Sequence, residues 1–277
     1  LSEGKVTDVL GIKPIGDAAL KIVEGVGAFL NAICRPAAEE YGMYLRDRVH
    51  LWRTKNLVRV AQAAERKLNE AGGVQNLTAP PRLVAGILDQ GSWVDDPELQ
   101  ELWGGLLASS CSQDGADDSN LVFLNLLSGL TGPQARVLKY ACEHAPKFMT
   151  ATGLPLASQL VLQMEELFAV SGVRDVGRLD RELDLLRNIG LLNSVSGLGL
   201  VGPLAANVTP SALGLHFYVR CQGSREAPAE YFKITEVREA VLLRGFAQQA
   251  VWRPVEAISE SHDDDESAGG PDAPALD

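Results

Sequence analysis

Three observations predict a mainly α-helical protein. Of its 277 residues 46% are hydrophobic but only 6% aromatic, so the core must be built from Leu, Ala, Val and Ile, a mixture that favours helices. Apolar residues recur at spacings of three and four through most of the chain, the period of an amphipathic helix. Proline and capping residues open these segments, and glycine closes many of them. One stretch, 194–208, alternates instead and is broken by Gly197, Gly199, Gly202 and Pro203, which predicts one small β-hairpin. The expected layout is a helical domain over 1–130, a second domain carrying the hairpin over 131–225, a helical segment over 226–253 and a disordered acidic tail over 254–277.

The first helix is expected from Pro14. Ala18, Ile22, Val26, Phe29 and Ile33 share a face, although Gly25 and Gly27 weaken the segment. An amphipathic core helix explains this pattern. The alternative is a membrane-responsive helix over 15–34, against which Asp17 and Glu24 count.

The second helix opens at Pro36, where a missing N–H costs nothing, and Glu39 and Glu40 sit near the positive end of its dipole. Tyr41, Leu45, Val49, Trp52, Asn56 and Val60 form its inward stripe. Asn56 is polar in an otherwise apolar row, so burial would require hydrogen-bond partners. Arg46, Arg48, Arg53, Lys55 and Arg59 fill the flanks, opposed locally by Asp47. They are the candidate binding residues. They read either as a solvated face paired to neighbouring acids or as a contact surface for nucleic acid, anionic lipid or an acidic partner. Gly72 and Gly73 stop the helix.

After a connector ending in Pro80 and Pro81, a short helix is expected over 81–91. The next has the clearest start in the chain: Asp96 as N-cap, Pro97 at the first helical position and Glu98 in the first turn. Leu99, Leu102, Trp103, Leu106 and Leu107 then share a face, and Gly104 and Gly105 invite close approach by another helix. A cap explains Asp95 and Asp96 without a metal. The segment 111–119 lacks the alternating acids and closing glutamate of a calcium loop and reads as a surface loop. Another helix follows over 120–130.

From Thr131 the expected order is a helix to His144, a loop over 145–154, helices over 157–170 and 175–192, the hairpin, and a further helix after Thr209 and Pro210. Three helices followed by a small hairpin is a winged-helix-like order. Residues 174–192 hold four bases and four acids, a balance that disfavours DNA and favours a protein partner or self-association. A last helix is expected from Tyr231 through Val237 and Val241.

The formal charge is −11, but residues 254–277 hold eight acids and no Lys or Arg, leaving −3 for the rest. Cys34, Cys111, Cys142 and Cys221 are widely spaced, and no His pair has ligand spacing, so neither metal nor cofactor is expected. No nucleophile elbow or phosphate loop is present and no catalytic set emerges, so the expectation is a non-enzyme. The first residues do not read as a secretory signal and no long uninterrupted apolar run occurs, so a cytoplasmic location is expected.

Residues 13–130 resemble the bacterial abortive infection alpha family. The likeness rests on the early amphipathic helix, on RPAAEEYGMYLRDRVHLWRTKN and on DDPELQELWGGLLASS, with Pro36, Glu40, Asn56, Asp96 and Trp103 as signature positions. Gly104 stands where the family commonly has Ala. The resemblance implies defence against bacteriophage, in which an infected cell stops growing or dies before phage release. It carries no active site, molecular target or phage trigger. The expected mode is binding or sensing. The alternatives are a toxin that meets the membrane on activation and a winged-helix regulator that binds nucleic acid.

Overall fold

The computed structural model describes residues 17–34, 48–194, 197–198 and 205–238, apart from the side chains of 17–24, 48–51 and 197–198. These residues are mainly helical, with two small three-stranded sheets. The first half holds α1 (Asp17–Ile33), α2 (Arg48–Glu70), α3 (Pro81–Ser92), α4 (Pro97–Ser109) and α5 (Leu121–Ser128).

The apolar helix α4 is the hub, packing on α2, α3, α5 and two helices of the second half. Asp96 starts it, with Oδ1 accepting from the backbone N–H groups of Glu98 at 2.9 Å and Leu99 at 3.2 Å. From Leu99 to Ser109 all residues but Glu101 are buried. A buried Leu contributes about 1.5–3 kcal/mol relative to exposure, so this helix anchors much of the fold. Its two glycines are contact points. A Cβ on Gly104 would meet the α2 backbone at the Val60 carbonyl, and one on Gly105 would fall on the Cys221 carbonyl. The side chains of Val26, Phe29, Leu30 and Ile33 bury α1 in the same core. Gly72 and Gly73 end α2 with positive φ values of 118° and 101°, which suit glycine.

The second half comprises α6 (Gly132–His144), β1 (Lys147–Thr150), β2 (Pro155–Ala157), β3 (Val161–Gln163), α7 (Met164–Ser171), α8 (Val176–Asn188), β4 (Gly197–Leu198), β5 (Ala205–Asn207), α9 (Ala212–Cys221), α10 (Pro228–Tyr231) and β6 (Val237–Arg238). Side-chain caps mark four helix starts: capping boxes from Thr131 with Gln134 and from Gln163 with Glu166, and single caps from Asp175 and Ser211. One sheet has the order β3-β5-β4, all antiparallel. The other has the order β2-β1-β6, with β6 parallel to β1.

Three expectations change here. The segment 145–154 is not a plain loop: it holds β1 and the turn into β2, closed at Gly153 with φ of 83°. The helix expected from Ala157 begins only at Met164, because 161–163 pair with β5 as a strand and the Gln163–Glu166 box sets the helix start. The helix expected from Tyr231 does not run through Val237, which lies in β6 beside Met149. The expected tail over 254–277 lies outside the described residues.

The buried cluster runs without a break from α1 to α9. Charged groups reinforce the passage between the halves. Arg136 donates from Nη1 to Asp96 Oδ2 at 3.2 Å and from Nη2 to the Ser171 carbonyl at 2.8 Å. Lys139 bonds both Glu98 oxygens, at 3.0 and 3.1 Å. The acidic first turn of α4 therefore both caps its helix and ties it to α6.

Candidate functional site

The outward face of α2 concentrates exposed aromatic and basic side chains. Trp52, Lys55, Arg59, Gln62 and Arg66 are all exposed. They recur at steps of three and four residues and so form one stripe, about 20 Å long at 1.5 Å per residue. Trp93, just past the end of α3, joins Trp52 at this surface, their ring centroids 6.4 Å apart. Both are substantially exposed, at 41% and 52%. Two adjacent half-exposed tryptophans depart from the usual burial of large aromatic surface.

Arg53 sits behind the pair. Its guanidinium lies 4.1 Å from the Trp93 ring centroid, donates to Ser92 Oγ at 2.9 Å and pairs with Asp89 at 2.7 Å. This half-buried arginine orients Trp93 and joins α2 to α3. Directly inside it, Asn56 is 1% exposed. Its Nδ2 donates to the Ser92 carbonyl at 3.1 Å, and its Oδ1 accepts from Gln100 Nε2 at 3.2 Å. Gln100 also donates to the Val94 carbonyl at 2.8 Å. A polar residue in the apolar stripe thus fixes where three helices meet, directly beneath the exposed aromatics.

The charges along the stripe differ in their partners. Asp89 engages Arg53, and Glu101 engages Arg66 at 2.5 Å and Lys67 at 3.9 Å. Between them, Lys55 and Arg59 make no hydrogen bond or ion pair among the described residues. Burial pushes the half-buried Lys67 amine below its ordinary range. Among the described residues, Lys55 and Arg59 are thus two uncompensated cations beside two exposed indoles.

Of the other sequence candidates, Arg46, Pro36 and Glu40 lie outside the described residues, as does the Arg48 side chain. Tyr41 and Leu45 also lie outside them. Val60 is fully buried, but Trp52, expected in the same inward stripe, faces outward. Trp103 is buried against Gly91, and its Nε1 has no hydrogen-bond partner among the described residues. Sequence reasoning passed over Trp93, Asp89 and Ser92, because a tryptophan at a helix end acquires meaning only from the helix beside it.

The other reactive groups among the described residues are scattered. No cluster of three or more His, Cys, Asp or Glu side chains able to hold a metal occurs among the described residues. In the 111–119 loop, Ser112 Oγ donates to Asp114 Oδ1 at 2.7 Å, and Asp117 Oδ1 accepts from the Ser119 N–H at 3.0 Å. These carboxylates brace the turn. All four thiols are buried, and burial pushes Cys111 up to about 12 and also raises Cys142 and Cys221, so these three stay protonated at neutral pH. His216, expected at the core or its boundary, is exposed. No helix of the described residues is long and apolar enough to cross a membrane.

Fold and surface together define a mainly helical protein with small sheets and an exposed aromatic and basic face on α2. Residues 53–200, just over half of the chain, match the abortive infection alpha family model, and the chain belongs to that family. The match begins at Arg53, so it includes Arg53 to Asn56 and the whole Asp95–Ser110 segment, and it runs on through α8 to the hairpin. No curated protein and no solved structure matches the chain.

Proposed function

We propose that this chain is a phage-defence protein of the abortive infection type, which acts in the cytoplasm by binding or sensing rather than by catalysis. The α2 stripe is its contact surface. The observation that carries this reading is the set Trp52, Trp93, Lys55 and Arg59: two exposed indoles beside two cations that no described acid engages. Aromatic anchors and unpaired cations together suit an acidic protein partner, with the rings supplying buried area and the cations orientation.

The second half is proposed as a winged-helix-like module serving assembly or sensing. The succession α6, β3, α7, α8 and the β4–β5 hairpin, with β3 beside β5 in the sheet, supports that reading. Insertion of α1 into a bilayer is the less favoured mode. It would first withdraw Val26, Phe29, Leu30 and Ile33 from the core, at a cost of about 1.5–3 kcal/mol for each large side chain.

The test is phage plating on cells expressing the wild type or Lys55→Glu/Arg59→Glu at matched protein levels. Loss of protection with an unchanged melting temperature supports the surface. Full protection by the reversed variant removes it.

A further inference from the structure

The third helix of the second half, α8, places its charges unevenly. By count, the segment from Arg174 to Leu192 is neutral. In space, it is sorted. Asp175 is the N-cap, with Oδ1 accepting from the Arg178 N–H at 2.6 Å. Glu182 has only 13% of its side chain exposed, accepts from Thr131 Oγ1 at 2.8 Å and pairs with Arg178 at 3.4 Å. Asp184 pairs with Arg187 on the flank. Asp180, half-buried, is the acid left without a described partner.

Asp175 is exposed and the Asp184 side chain is 49% exposed, but the stripe of exposed residues at steps of three and four is basic. Arg174, Arg178, Arg181, Leu185 and Asn188 are exposed and recur at steps of four, three, four and three residues. Arg174 and Arg181 make no hydrogen bond or ion pair among the described residues. The opposite face of α8, Leu179, Leu183 and Leu186, is buried against the core. The arginine face therefore stands on a fixed helix. The β4–β5 hairpin follows it directly in the chain, and β4 packs on α8.

We infer that this face of α8 is a contact surface for duplex DNA. Three arginines along one exposed helix face complement a phosphate backbone, and an α-helix fits a DNA major groove about 12 Å wide. Single-stranded nucleic acid is the weaker fit, because this face presents no aromatic side chain on which a base can stack. Duplex RNA is also weaker, because its major groove is too narrow and deep for side chains to read. The acidic whole-chain charge does not forbid the contact, since screening at physiological salt limits each charge to about 8 Å. This surface is separate from the α2 stripe, so the two readings stand or fall independently.

The experiment is fluorescence anisotropy of a short labelled DNA duplex with the purified full chain, over about 50 to 200 mM salt. A single strand and an RNA duplex of the same length run in parallel. The wild type is expected to bind duplex DNA with an affinity that falls as salt rises. Arg174→Glu/Arg181→Glu is expected to bind about tenfold or more weakly, with a salt slope lower by about 2. Lys55→Glu/Arg59→Glu is expected to bind as the wild type does. Absence of wild-type binding at the lowest salt overturns the inference. So does wild-type affinity in the Arg174/Arg181 variant, or equal or tighter binding of the single strand or the RNA duplex.

Discussion

Replacing Asn56 by Ala removes the amide at the junction of α2, α3 and α4. The Ser92 carbonyl loses its donor at 3.1 Å, whereas Gln100 Nε2 retains the Val94 carbonyl at 2.8 Å. One buried acceptor is therefore orphaned, at about 1–3 kcal/mol. The small cavity left at a 1% exposed site adds to this. Alanine's higher helix propensity returns roughly 0.5 kcal/mol. The expected net loss is about 2 kcal/mol, which for a chain of this size lowers the melting temperature by about 4–8 °C. Thermal and urea melts followed by circular dichroism read it directly. Gln100→Ala should show coupling to Asn56→Ala in a double-mutant cycle, because the two side chains share a hydrogen bond. A loss of less than about 0.5 kcal/mol, or strict additivity with Gln100→Ala, would refute the reasoning.

Four further outcomes are expected. Gly105→Ala should destabilise the protein by about 1–3 kcal/mol despite better helix propensity, because its Cβ meets the Cys221 backbone, while Gly25→Ala, where a Cβ meets nothing among the described residues, should be neutral or stabilising in the same melts. Arg136→Ala should cost about 1–3 kcal/mol through loss of the Asp96 pair and the bonds to the Ser171 carbonyl, and Arg136→Lys should recover only part of it. A thiol reagent at neutral pH should label few or none of the four cysteines in the native protein and all four after denaturation, given their burial. Hydrogen bonds from Ser112 and Ser119 hold the Asp114 and Asp117 carboxyls below their ordinary range, so the turn over 111–119 should be intact above the unfolded carboxylate pKa and loosen as pH falls through the lower folded values; carboxyl NMR titration should give midpoints below 3.8.

The helical body was legible because its signals are local. Asp96-Pro97-Glu98 announces a helix start from side-chain chemistry alone, and the capping geometry around Asp96 follows from it. The same segment's second task, binding Arg136 and Lys139 from α6, was not legible, because those partners lie 40 and 41 residues away. The strand β3 was hidden for a related reason. Leu160, Met164, Leu167 and Phe168 fit a helical period, and only pairing with β5, more than forty residues on, makes 161–163 a strand. The basic run of α2 was visible as composition, but not its division into an engaged Arg53 and unengaged Lys55 and Arg59. Trp52 illustrates the limit of periodicity. Its spacing placed it in the apolar stripe, yet an adjoining Trp93 from another helix gives it a partner on the outside. Likewise, an even count of charges in α8 concealed their segregation between a capped, paired flank and an arginine face.

The most direct test of the account is the number of phage released per infected cell in a one-step growth experiment. Cells carrying the wild-type chain should release far fewer phage than cells without it, and should themselves cease growth. Lys55→Glu/Arg59→Glu, expressed and folded equally, should restore release to the level of cells without the chain. Release that stays suppressed with those two cations reversed would contradict the claim that the outer face of α2 carries the defence.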